Sequence, residues 1–89
     1  MKLSIVIPVY NELDTISEIV NRIINLDLDK EIIIVDDGST DGTSEILKNE
    51  FKCEDGIKVV FHPHNCGKGE AVRTALNSVK GDVIIIQDA

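Results

Sequence analysis

Ile32-Ile33-Ile34-Val35-Asp36-Asp37-Gly38-Ser39-Thr40-Asp41-Gly42-Thr43 is the stretch that decides the fold. Its four consecutive β-branched residues predict a short strand buried on both faces. Asp36 and Asp37 follow at the C-terminal end, and then a Gly/Ser/Thr/Asp segment with the composition of a turn. A buried strand that delivers two acids into a glycine-flanked turn suits an α/β protein binding a ligand at the carboxyl end of its sheet. The plainer reading is two solubilising acids closing a strand, with Asp41 as the N-cap of the next helix. The segments on either side decide between the two.

Upstream, Leu3 to Ile7 reads as a strand stopped by Pro8. Between Asp14 and Leu26, residues Ile16, Ile19, Val20, Ile23 and Ile24 recur at helical spacing and form one apolar stripe, with Asn11 or Asp14 as the cap. The second strand covers Glu31 to Val35. Downstream of Asp41 a second helix turns Ile46, Leu47 and Phe51 inward, and Cys53 to Gly56 reads as a polar turn. Ile57 to Phe61 is a third strand, broken by His62-Pro63-His64-Asn65. Ala71, Val72, Ala75, Leu76 and Val79 mark a third helix, closed by Lys80-Gly81 as a C-cap. Asp82 to Gln87 is a fourth strand, apolar through Val83-Ile84-Ile85-Ile86.

This β-α-β-α-β-α-β alternation, with right-handed crossovers, predicts a parallel sheet with helices on both faces. Three βα units and a fourth strand suit the order 3-2-1-4, with a crevice where the winding reverses between strands 1 and 4. Strands 3 and 4 are then the edges, and an apolar fourth strand left exposed invites pairing with a second copy, a possible homodimer.

Composition narrows the function. With 89 residues the chain is one domain or part of one, near the lower size for a self-sufficient core. Sixteen acids against nine bases, a formal charge of −7, argue against nucleic acid as a partner. They leave room for a phosphorylated small molecule, because a metal ion can bridge acid to phosphate. No stretch reaches the length of a membrane span, and Met1-Lys2 runs straight into a strand without a signal peptide. Cys53 and Cys66 make no disulfide framework and read as thiols of a reducing, cytoplasmic compartment.

The predicted crevice collects Tyr10, Asn11 and Glu12 after strand 1, Asp36 and Asp37 after strand 2, and Asp88 after strand 4. Tyr10 can stack on a base or simply close a strand. Asp37 or Glu12 can accept from a ring N–H of uracil or guanine, or remain a solvated turn acid. Asp88 suits a hard divalent cation that in turn holds a diphosphate, or else ends its strand as an ordinary acid. Lys68 and Arg73 can meet phosphate or base, or stay on the surface. Three other motifs carry less. Gly67-Lys68-Gly69 opens a helix but lacks the third glycine of a dinucleotide loop. His62-x-His64-x-Cys66 offers zinc donors without a nearby fourth ligand. The Asp36-Asp37 pair follows the second strand, where a phospho-receiver domain has its pair after the first.

Taken together, "SIVIPVYNE" (4–12), "IIIVDDGSTDGT" (32–43), "NCGKGEAVRTAL" (65–76) and "GDVIIIQDA" (81–89) resemble the N-terminal half of a family 2 glycosyltransferase. The dolichyl-phosphate mannose and glucose synthases are the subgroup that the motifs look most like. The resemblance covers essentially the whole chain in order. It implies a Rossmann-like α/β/α sandwich, the N-terminal half of a GT-A fold, and inverting transfer of a sugar from a UDP- or GDP-linked donor to a lipid-phosphate or saccharide acceptor. It further implies that Pro8, Tyr10, Glu12, Val35 and Asp37 hold the nucleoside and that Lys68 meets the base. Asp88 and Ala89 match the first two residues of the Asp-x-Asp signature, so Asp88 is the expected ligand of Mg²⁺ or Mn²⁺. Residues 1–89 are then one donor-binding subdomain that stops before the acceptor half, where the family keeps its general base, so no catalytic residue is expected here. Membrane contact is expected only through segments outside these residues or through a lipid acceptor, with the parent at the cytoplasmic face. The alternative is a nucleotide- or metal-binding module, or a folding module, without turnover of its own.

Overall fold

Why the branched runs become strands is visible in their burial. In the computed structural model, which describes residues 1–51 and 56–89, Ile32 to Val35 are each at most 3% exposed. They lie at the centre of β2 (Lys30–Asp36), between β1 (Leu3–Val9) and β3 (Ile57–Phe61). β4 (Val83–Ile86) pairs with the far side of β1, and all four strands run parallel in the order β3-β2-β1-β4. The expected topology and both edges are therefore observed. Helices α1 (Ile16–Ile24), α2 (Thr43–Glu50) and α3 (Lys68–Leu76) complete the alternation.

Two cores sandwich the sheet. Ile16, Val20 and Ile23 of α1, with Leu47 of α2 and Phe51 after it, pack on Ile5, Ile7, Val9, Ile32 and Ile34. The opposite face is thinner: Ala71 and Ala75 of α3 lie on Val6, Ile33 and Val35. Alanines let α3 approach the strands closely, so a nine-residue helix seals this side. The placement follows from handedness, because α1 and α2 cross over in one direction along the sheet and α3 returns in the other.

Several boundaries differ from expectation for identifiable reasons. Pro8 does not stop β1. Val6 accepts from the Gln87 N–H on the β4 side, and Pro8, two residues on, faces the same way beyond the last β1–β4 pair. No ladder bond is lost there, which is where a strand tolerates proline. Helix α1 starts at Ile16, and neither Asn11 nor Asp14 caps it; the Thr15 and Ile16 N–H groups donate to the Glu12 carbonyl instead. Helix α3 ends at Leu76, short of Lys80-Gly81. Gly81 belongs to the entry of β4: its N–H donates to Ser4 Oγ at 2.8 Å, and a Cβ there would lie 2.6 Å from that oxygen. The turn expected from Cys53 to Gly56 lies mostly outside the described residues. Among the described residues, no helix is long and apolar enough to cross a membrane.

Candidate nucleotide site

The site is built by loops at the carboxyl ends of the strands. Asp36, 1% exposed, turns its carboxylate back into its own turn. It accepts from the Ser39 N–H (3.2 Å) and Oγ (2.5 Å) and from Ser44 Oγ, which fixes the Gly38-Ser39 turn to the start of α2. That turn then holds the loop after β1. Ser39 Oγ accepts from Asn11 N (2.9 Å), Asn11 Oδ1 accepts from Thr40 N (2.7 Å), and Thr43 Oγ1 accepts from Glu12 N (3.1 Å). Asp41 accepts from Leu13 N and from the Thr43 N–H at 3.0 Å. The Thr43 hydroxyl bond, and then the backbone bonds, hold its carboxyl below the usual range against some desolvation. Asn11 takes a left-handed backbone (φ 51°), which asparagine tolerates. The small polar residues of 38–43 thus position Tyr10 and Glu12.

Asp37 organises the other wall. Asp37 is 3% exposed, and its carboxylate receives four donors. Oδ1 accepts from His62 Nδ1 and from Cys66 N, each at 2.8 Å; Oδ2 accepts from Gly67 N at 2.8 Å and Asn65 Nδ2 at 3.1 Å. Burial pushes the carboxyl up, but the hydrogen bonds from His62, Cys66 and Gly67 outweigh it and leave it below its ordinary value. An ionised carboxylate offers about four lone-pair sites. The expected base contact at Asp37 therefore has to share an oxygen with this loop, so base recognition and loop order are linked. Gly38 makes the arrangement possible, because the backbone of His64 and Asn65 crosses it so closely that a Cβ would sit 2.4 Å from His64 C.

Between these walls lies a cleft of about 280 Å³, near the lower bound of roughly 300 Å³ for small-molecule sites. Pro8, Tyr10, Glu12, Asp37, Lys68, Asp88 and Ala89 all line it, together with Asn65 and Ala71. It opens where β1 and β4 diverge, at the reversal of the winding. Val35 is the exception among the residues expected to hold the nucleoside. Its side chain is fully buried under Ala71 and Ala75, so it is a core residue. At the rim, Lys68 Nζ pairs with Asp88 Oδ1, both side chains being more than half exposed. Asp88 and Glu12 both line the cleft, and carboxylate is the ligand type that a hard divalent cation takes, completed by water and phosphate.

Asn65, His62 and Thr74 were not chosen from the sequence as site residues. His62 stands out locally only as a zinc donor; its contact with Asp37, 25 positions away, arises because β2 and β3 are neighbours. The zinc donors of the loop rearrange as well. Asp37, His62 and Cys66 converge within 4.8 Å, while His64 stays out of the group. Asp37 and His62 bind each other, and the Cys66 thiol donates to the His64 carbonyl at 3.4 Å.

Comparison with known proteins gives the family. An undecaprenyl-phosphate 4-deoxy-4-formamido-L-arabinose transferase of Edwardsiella ictaluri (strain 93-146) is 41% identical over 92 residues, covering 97% of this chain and 28% of that protein. A mannosyltransferase from Pyrobaculum calidifontis, solved in complex with GDP-Man and Mn²⁺, superposes with a TM-score of 0.87 at 30% identity, covering 97% of this chain and 26% of the other. The crystal structure of S. aureus TarS 1-349 in complex with UDP also has a TM-score of 0.87 at 30% identity, over 99% of this chain and 27% of the other. The chain therefore spans little more than a quarter of each of these relatives, and its sandwich is the Rossmann-like part of a GT-A fold. Residues 4–89 match the description "Glycosyl transferase family 2", and the chain belongs to that family.

Proposed function

We propose that this chain is the donor-binding part of an inverting glycosyltransferase that takes its sugar from a UDP- or GDP-linked donor and passes it to a lipid phosphate. One observation carries the reading: the motif residues, far apart in sequence, line one cleft at the reversal point of the sheet. Pro8 and Tyr10 form the wall against which a base can lie, and Asp37 with Asn65 offers the polar edge that reads it. Lys68 stands at the N-terminus of α3, where its charge and the helix dipole both favour phosphate. Asp88, with Glu12 in the same cleft, would hold Mg²⁺ or Mn²⁺, which when bound neutralises charge on the departing diphosphate. Two solved relatives carry GDP-Man with Mn²⁺ and UDP, which supports a nucleoside diphosphate and a divalent metal. The lipid-phosphate acceptor is supported by the name of the arabinose transferase, and nothing favours the dolichyl-phosphate synthases over it.

The test is calorimetric titration with UDP, GDP and CDP, each with and without Mn²⁺. We expect metal-dependent binding of one uracil or guanine nucleotide, lost in Asp88→Ala. Equal binding of all three without metal would refute the assignment.

A further inference from the structure

We propose that His62 is a positioning residue for the nucleoside pocket, holding the Asp37 carboxylate through Nδ1–H and tying it to α3 through Nε2 and Thr74. The binding arm of this inference rests on the nucleotide reading above; its structural arm does not.

His62 lies immediately after β3, and its side chain is only 13% exposed. Both ring nitrogens are engaged, Nδ1 with Asp37 Oδ1 and Nε2 with Thr74 Oγ1, each at 2.8 Å. A carboxylate accepts and cannot donate, so the proton shared with Asp37 sits on Nδ1. In the neutral ring Nε2 is then a bare acceptor, and the Thr74 hydroxyl donates to it. The accept-only carboxylate thus fixes the Nδ1–H tautomer, and the Thr74 hydroxyl, able to donate or accept, complements it by donating to Nε2.

The remaining donors to Asp37, from Asn65, Cys66 and Gly67, all belong to one short loop. Gly67 is also the N-cap of α3, so its N–H already ties Oδ2 to the start of the helix that brings Lys68 and Ala71 to the cleft, and His62 adds a side-chain link to Thr74 further along the same helix. With His62 in place, Oδ1 is held by the ring as well as by the Cys66 N–H. Without the Nδ1 donor, Oδ1 keeps only the Cys66 N–H, and the carboxylate is held less firmly in the wall of the cleft. His62 touches no part of the cleft itself, so it acts through Asp37 and not on the ligand.

Side-chain geometry supplies a discriminating pair of variants. Asparagine places its amide nitrogen near the position of Nδ1, and glutamine places its own near Nε2. H62N therefore keeps the donor to Asp37 and gives up Thr74, and H62Q does the reverse. With Mn²⁺ present, we expect UDP or GDP affinity to stay within about threefold of wild type in H62N. It should fall about tenfold or more in H62Q, as for loss of a hydrogen bond to a charged group. Thr74→Val, which frees the ring but leaves the Nδ1 donor, should lower the melting temperature and weaken nucleotide binding less than H62Q does. Equal weakening by H62N and H62Q, in step with their melting temperatures, would reduce His62 to a purely structural residue and overturn the proposal. Nitrogen-15 spectra of the ligand-free protein are independent of nucleotide and should show His62 protonated at Nδ1; an Nε2–H tautomer would also overturn it. Should the wild type bind no nucleotide, the functional reading fails. The positioning role then stands or falls on the tautomer and on exchange protection of the Cys66 and Gly67 amides, retained in H62N and lost in H62Q.

Discussion

Asp36 and Asp37 are adjacent, similar in burial and opposite in use. One carboxylate closes its own turn, and the other reaches across to the next strand and loop. A variant that removes only the charge separates such roles. Asp37→Asn keeps the shape, but its NH₂ must face either the His62 and Cys66 donors or the Gly67 and Asn65 donors. We expect a loss of roughly 1.5–3 kcal/mol in nucleotide affinity, one to two decades, with a comparable fall in stability by urea unfolding. Asp41→Asn should leave binding unchanged, since an amide oxygen still accepts from Thr43 and the Leu13 N–H is exposed to water. Equal effects of the two substitutions would show that the roles are misassigned. The importance of Asp37 was legible in the sequence, whereas its partners were not. They lie 25 to 30 residues away, and no periodicity encodes a contact made by strand neighbourhood. Val35 shows that a residue inside a binding motif can also serve packing, since its side chain lies in the core under Ala71 and Ala75.

At the scale of elements, branched runs made the strands legible because burial on both faces leaves a continuous apolar signature. Helix ends were less so, and Gly81 shows why. It looks like a C-cap, yet it is glycine because Ser4 and the Lys2 carbonyl leave no room for a Cβ. The α3–β4 connection is held by Glu31, whose Oε2 accepts from Ser4 Oγ, from Lys80 N at 2.5 Å and from Gly81 N at 3.2 Å. Desolvation raises the Glu31 carboxyl, but Ser4, the two backbone donors and Lys2 bring it below its ordinary value. Asp37 and Asp41 are shifted the same way. A depressed carboxyl contributes stability that is complete above its unfolded value, about 3.9 for Asp and 4.3 for Glu, and is lost as pH falls through the folded value. Urea midpoints should therefore be flat from neutral pH to about 5 and decline below about 4. Glu31→Gln should start lower at neutral pH and decline less steeply. A midpoint that rises on acidification would contradict these hydrogen bonds.

For the whole molecule, the asymmetry of the sheet decides behaviour in solution. Among the described residues, three helices cover three strands, and β4 receives none. The register puts Val83 and Ile85 on the face of α1 and α2 and puts Ile84 and Ile86 on the face of α3. Yet all four residues are 38–50% exposed. The outer edge of β4 also has no neighbouring strand among the described residues. An apolar edge strand without charge, proline or bulge is a template for another strand. The occupant that this chain can supply by itself is a second copy, pairing β4 with β4 about a two-fold axis. We expect a monomer–dimer equilibrium in sedimentation velocity, with the dimer fraction rising with concentration. Ile85→Lys should abolish it, because the charge is tolerated on an exposed edge and blocks the paired state. Its melting temperature should then become independent of concentration, whereas that of the wild type rises with it. The nucleotide cleft opens at the carboxyl end of β1, beyond the register of the β1–β4 pairs, so Ile85→Lys should bind nucleotide as the wild type does. A wild type that stays monomeric at millimolar concentration would show that exposed branched side chains alone do not make this edge adhesive.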